Sequence, residues 1–149
     1  MKEASLDLVT GEVVDAAYKL HTALGPGLLE SVYEAVLARD LGRRGMKVER
    51  QLPLSFDYDG MRFSEGLRID LLVDSRVVIE IKSVERLMAV HHKQLLTYLR
   101  LLNLPVGLLI NFGAAHLREG LKRVVNGLVP SQSPILQVNR TSAPSASSA

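Results

Sequence analysis

The residues of this chain best suited to chemistry are Asp70, Glu80 and Lys82, set within Arg68-Ile-Asp-Leu-Leu-Val-Asp-Ser-Arg-Val-Val-Ile-Glu-Ile-Lys82. Two apolar, strand-like runs are joined there by a tight polar turn, Asp74-Ser75-Arg76. Glu80 and Lys82 are separated by one residue, so on a strand they share a face. Charge in strands this apolar is costly unless it is paired, hydrogen-bonded or bound to a metal. If the two runs pair as a hairpin, Asp70 and Glu80 reach one spot. Two carboxylates suit Mg²⁺, whose shell of hard oxygen ligands is completed by waters and substrate phosphate. Lys82 beside them could orient or help deprotonate a water and offset charge on phosphoryl oxygens. That is the chemistry of a metal-dependent phosphodiesterase. The plainer alternative is a salt bridge between Lys82 and one of the acids.

Other residues could join such a site. Glu30 opens a helical segment and shares its side with Tyr33 and Leu37, flanking the apolar stripe, where a carboxylate could complete an acidic site. Taken alone, Glu30 is more simply read as an acid stabilised by the helix dipole in the first turn. Glu34 faces further outward and reads as solvated. Gln94 and Tyr98 are an i,i+4 pair with His91 on the same side, a face that could contact substrate or a bound water, or be a polar patch on a leucine-rich helix. His91 and His92 point about 100° apart on a helix and cannot form a paired ligand set. Arg39, Arg43, Arg44 and Lys47 form a basic cluster that could meet phosphates or simply favour a helix C-terminus. Arg68, on the strand face of Asp70, is the better phosphate contact, with a structural ion pair as its alternative.

The elements that must position these groups follow from periodicity. Leu6, Val9, Val13, Ala16, Ala17, Leu20 and Leu24 predict a helix over 6–24, stopped by Gly25-Pro26-Gly27. A second helix is expected over 28–44, ending near Gly45. Val48–Tyr58 reads as a strand interrupted by Pro53, followed by an Asp59-Gly60 turn and strands over Met61–Val73 and Val77–Val84. Leucine spacing predicts a helix over Val90–Asn103. Val106–Phe112 is a continuous apolar run, the kind buried on both faces. Ala114–Leu128 reads as a last amphipathic helix through Leu117, Leu121, Val124 and Val125. The order α-α-β-β-β-α-β-α implies an α/β (α+β) fold with a mixed sheet flanked by helices.

Composition bounds the rest. The chain has 149 residues, 47% hydrophobic and 23% charged, enough for one domain with a real core. A net charge of +2 makes any phosphate-binding surface a local one. There is no cysteine, which excludes disulfides and thiolate zinc sites and is compatible with a reducing cytoplasm. The N-terminus lacks a signal peptide's apolar segment, and no apolar run approaches the roughly 18 residues of a membrane span. Residues 130–149, rich in Ser, Pro and Ala, read as a disordered tail on a 1–129 domain.

Gly27-Leu-Leu-Glu30-Ser-Val-Tyr33 resembles the signature of the GxxExxY protein family. Its surroundings resemble that family too: His21 through Tyr33, Arg68-Ile-Asp-Leu-Leu-Val73, Glu80-Ile-Lys82, Gln94-Leu-Leu-Thr-Tyr98 and Gly107-Leu-Leu-Ile-Asn-Phe112. The resemblance covers residues 6–128 and places the chain with a compact branch of the PD-(D/E)xK nuclease superfamily. It implies a restriction-endonuclease-like core with a four-stranded mixed sheet. It also implies Asp70, Glu80 and Ile81 as metal-ligating positions for Mg²⁺ or Mn²⁺, and Lys82, Glu30 and Gln94 in the catalytic set. Arg68, Tyr98, His91 and Tyr33 are the accompanying candidate substrate contacts. Ile69 stands where the superfamily motif has proline. The expected function is hydrolysis of DNA phosphodiester bonds. The expected partner is nucleic acid, DNA first, without a membrane, and a homodimer is the oligomer to test. The alternatives are a non-catalytic nucleic-acid-binding or protein-interaction module, or a structural homo-oligomer with a vestigial site.

Overall fold

The first apolar periodicity is realised as helix α1, Leu6–Leu24, in the computed structural model, which describes residues 5–127 and the backbone of 136–140. Ser5 caps it by accepting the Leu8 N–H at 3.2 Å. Gly25 ends it at φ 71°, a left-handed conformation that strains any residue with a Cβ. Helix α2, Glu30–Arg43, follows, and then strands β1, Val48–Tyr58, β2, Met61–Val73, and β3, Val77–Lys82. Helix α3, Ala89–Leu102, leads to β4, Val106–Asn111. A single helical turn α4, Leu117–Gly120, precedes β5, Leu121–Val125, and β6, Leu136–Arg140.

The strands form one sheet in the order β5-β4-β3-β2-β1-β6. All neighbours are antiparallel except β3 and β4, the parallel pair joined through α3. This is the mixed, helix-flanked sheet expected from the element order. Among the described residues it has six strands rather than four. β1 runs through Pro53 without a break, at a point where the β6 pairing, Leu54 to Tyr58, has not yet begun.

Two expectations change. The helix expected over Ala114–Leu128 is a single turn, and residues 121–125 instead pair with β4. The apolar spacing there fits a helix, but the β-branched pair Val124-Val125 suits a strand, and the open edge of β4 needs backbone partners. In the stretch 130–149, expected as disordered, residues 136–140 form β6 against β1, while its other residues lie outside the described ones.

The sheet separates two apolar clusters. On one face Val9, Val13, Tyr33, Leu37 and Leu41 of α1 and α2 pack on Leu71, Ile79, Ile81 and Ile110. On the other, Leu95 and Leu99 of α3 pack on Leu52, Ile69, Val78 and Leu109. β4 is buried along its whole length, as its unbroken apolar run implied. Each fully buried aliphatic side chain contributes about 1.5–3 kcal/mol, so β3 and β4 form a firm floor for the charges at their C-terminal ends. Among the described residues, no helix is long and apolar enough to cross a membrane.

Candidate active site

The ladder between β2 and β3 pairs Val73 with Val77, Leu72 with Val78 and Leu71 with Ile79, and stops there. The next opposed residues are Asp70 and Glu80, and their side chains take over the work of the backbone. Glu80 Oε1 accepts the Asp70 N–H at 3.4 Å, and Asp70 Oδ2 accepts the Ile81 N–H at 2.8 Å. The carboxylates thus bridge the two strands where they part. The expected meeting of Asp70 and Glu80 on a hairpin is the observed geometry.

Glu80 is only 5% exposed, and its carboxyl is pushed up to about 8. Burial is the main cause and the neighbouring Asp70 charge the second. The Asp70 N–H and the Lys82 charge pull the other way, while a hydrogen bond between the Glu80 and Asp70 side chains adds to the rise. Lys82 is half-buried, and among the described residues no salt bridge holds it. The salt-bridge alternative for this lysine therefore has no counterpart in the geometry.

The end of β3 is clamped from β4. Lys82 lies opposite Asn111, and Phe112 N–H donates to Lys82 O at 2.8 Å. The buried Asn111 amide accepts from Val84 N–H at 2.9 Å and donates to Val84 O at 2.9 Å. Gly113 allows this approach, because a Cβ there would sit 2.4 Å from Val84 O. These contacts account for the Gly107–Phe112 segment beside the lysine strand.

Glu30, Tyr33 and the glycine loop meet the same strand end. Tyr33 is fully buried and stacks on Phe112 with centroids 4.5 Å apart. Its hydroxyl donates to Gly25 O at 2.5 Å and accepts Leu28 N–H at 3.2 Å. Tyr33, expected as a substrate contact, is thereby corrected to a core residue that shapes the loop: its ring has no exposed surface and its hydroxyl is engaged twice. Leu28 O accepts from Ser83 Oγ at 2.6 Å, and Glu30 Oε2 accepts the Ser83 N–H at 3.3 Å. Glu30 is exposed and meets the chain one residue beyond Lys82.

Glu34, read as solvated, is 5% exposed. Its Oε2 accepts from Arg50 Nε and Nη2 at 3.3 and 3.1 Å, and its Oε1 accepts from Gln51 Nε2. The same Gln51 Nε2 reaches Asp70 Oδ1 at 3.2 Å. Glu34 is thus the helix acid connected to Asp70, through a glutamine that sequence reading passed over. The signal was present: Glu34, Leu37, Ala38 and Leu41 fall at i, i+3, i+4 and i+7, and all are buried.

α3 covers the other side. Gln94 Nε2 donates to Tyr98 Oη at 2.9 Å. The Tyr98 hydroxyl is raised above its ordinary range by burial, and then by the charges of Glu80 and Asp70, which places it within their field. His91 caps α3, its Nδ1 accepting the Met88 N–H at 3.0 Å. Arg68 is exposed and pairs with Glu65 at 3.8 Å, the structural alternative named for it. In the basic cluster, Arg44 is committed to Glu12, Asp15 and Asp40. At 1.5 Å per residue, Arg43 lies about 20 Å along α2 from Glu30.

The donor set fits a divalent cation. A half-buried niche holds two crowded carboxylates, and one of them keeps its proton to about pH 8 without a neutralising ion. Among the described residues no third His, Cys, Asp or Glu joins them. Two carboxylates with waters and phosphate suit Mg²⁺ or Mn²⁺ better than the three protein ligands of a zinc site. Ile81 has an apolar side chain and could contribute only its backbone carbonyl, while its N–H orients Asp70.

No curated protein and no solved structure matches the chain. A family model described as the PD-(D/E)XK nuclease superfamily matches residues 7–124, from the start of α1 into β5, and that span holds Asp70, Glu80 and Lys82 at the parted end of the hairpin. By that match the chain belongs to the PD-(D/E)XK nuclease superfamily.

Proposed function

We propose that this protein hydrolyses phosphodiester bonds in nucleic acid, DNA first, with Mg²⁺ or Mn²⁺ held by Asp70 and Glu80. The observation that carries this reading is the parted end of the β2–β3 hairpin, where the two carboxylates converge beside a lysine that has no salt bridge among the described residues. A bound divalent cation would supply charge neutralisation at the phosphate and activation of a water. Lys82 offers an ammonium to the phosphoryl oxygens and to the attacking water. Tyr98 brings a hydroxyl from α3 into the field of the same acids, and Gln94 donates its amide to that hydroxyl. Glu30 secures Ser83, and with it the direction in which the chain leaves Lys82.

The test is a cleavage assay on single- and double-stranded DNA and RNA with Mg²⁺, Mn²⁺ or EDTA, with Lys82→Ala run beside the parent. Cation-dependent cleavage that the variant loses supports the proposal. A parent that binds these cations and cleaves no form refutes it.

A further inference from the structure

Gln51 lies directly opposite Asp70: Arg50 pairs with Leu71 and Leu52 with Ile69, leaving Gln51 and Asp70 as the residues between. Gln51 is also one of the non-glycine residues in the left-handed region, at φ 47°. This occurs inside a strand, not in a turn, and such conformations persist where surrounding contacts impose them.

Both strands change face at this position. In β1, Val48 packs with the α1 and α2 cluster, whereas Leu52 and Leu54, in the same alternation, belong to the α3 cluster. In β2, Leu71 and Val73 face α1 and α2, whereas Ile69 and Leu67 face α3. The kink has a second result. Adjacent residues of a regular strand point to opposite faces, yet Arg50 and Gln51 both bond the Glu34 carboxylate.

The amide nitrogen carries two hydrogens, and it has two carboxylate partners, Glu34 Oε1 and Asp70 Oδ1. Asp70 Oδ2 is held by the Ile81 N–H. Each Asp70 oxygen is therefore fixed by one N–H donor, and each keeps lone-pair capacity for a further partner. Glu34 is in turn anchored through its other oxygen by Arg50.

We infer that Gln51 is a positioning residue, which fixes the orientation of the Asp70 carboxylate for cation binding and ties it to Glu34 on α2. The inference rests on the proposed role of Asp70. Partners that orient a ligating carboxylate typically alter metal affinity or activity by 10–100-fold when removed.

Two substitutions separate the side chain from the backbone. Gln51→Gly removes the amide and favours the left-handed backbone. Gln51→Asn keeps an amide, also tolerates that backbone, and is one methylene too short to reach both acids. Calorimetric titration with Mn²⁺ alone, without nucleic acid, should show binding weakened about ten-fold or more in both variants. Both variants should fold without metal, with melting temperatures lowered by no more than the loss of one hydrogen bond to buried Glu34. The Mn²⁺ paramagnetic resonance spectrum, which reports ligand-shell symmetry, should change. Any cleavage should lose kcat with KM for nucleic acid retained.

Parent-like Mn²⁺ affinity in Gln51→Gly overturns the inference and leaves the nuclease proposal standing. Weakened affinity together with a parent that cleaves nothing supports the inference and refutes the nuclease. A parent that binds no divalent cation overturns both. Failure of both variants to fold also overturns the inference, since the amide would then hold the fold rather than orient the acid.

Discussion

Replacing Glu80 with glutamine should stabilise the metal-free protein, and should do so only at neutral and alkaline pH. In the fold the Glu80 carboxyl keeps its proton to about 8, against an ordinary value of 4.5. Between those values the unfolded chain binds fewer protons at this site than the folded one, so stability falls as pH rises. The favourable contribution of the protonated acid is complete below 4.5 and is gone once pH passes about 8. At 1.36 kcal/mol per unit, the loss is about 3 kcal/mol at pH 7 and about 5 kcal/mol above pH 8. The glutamine side chain of the Glu80→Gln variant would stay neutral throughout. Its oxygen can accept the Asp70 N–H and its amide can donate to the Asp70 carboxylate, as protonated Glu80 does.

Urea unfolding with EDTA, followed by circular dichroism, measures both proteins at about pH 5 and about pH 8.5. Near-equal stability is expected at the lower pH, with the variant ahead by about 3–5 kcal/mol at the higher. Mg²⁺ should narrow that gap by stabilising the parent, by about 2.7 kcal/mol at one hundred times Kd. A gap that is independent of pH, or that closes as pH rises, would refute the argument that burial and Asp70 hold the proton on Glu80.

Lys82→Ala should lose turnover by about 10² or more, while its unfolding free energy stays within about 1 kcal/mol of the parent because no salt bridge to a described residue is broken; a variant with parental turnover would remove Lys82 from the mechanism. Asp70→Asn should abolish the rise in melting temperature produced by Mg²⁺ or Mn²⁺, and an undiminished rise would show that the cation binds elsewhere. Truncation after Pro130 removes β6 and bares the Leu54–Tyr58 edge of β1, so the melting temperature should fall while cation-dependent cleavage persists; an unchanged melting temperature would mean that β6 adds nothing to the sheet.

The local signals in this chain were strong where one period dominated. The bounds of α1, β2 and α3 follow from leucine spacing and turn chemistry, and the unbroken apolar run of β4 announced burial on both faces. The convergence of Asp70 and Glu80 was legible as well, because a tight turn at Asp74-Ser75-Arg76 sets hairpin register, and register fixes which residues are opposed. Other features depend on contacts between segments distant in the chain. Leu121–Val125 became a strand because β4 presented an open edge, which outweighs a helical pattern in so short a segment. Tyr33 became a core residue because Phe112 stacks on it. The link from Glu34 through Gln51 to Asp70 joins a helix and two strands. It needs a left-handed residue inside a strand, and a single glutamine between Arg50 and Leu52 carries no local sign of that. The sequence by itself thus determined which groups could do chemistry and which strand faces carry them. The tertiary structure decided which carboxylates share a donor and which remain in solvent, because burial and hydrogen-bond partners are properties of packed elements, not of spacing along one of them.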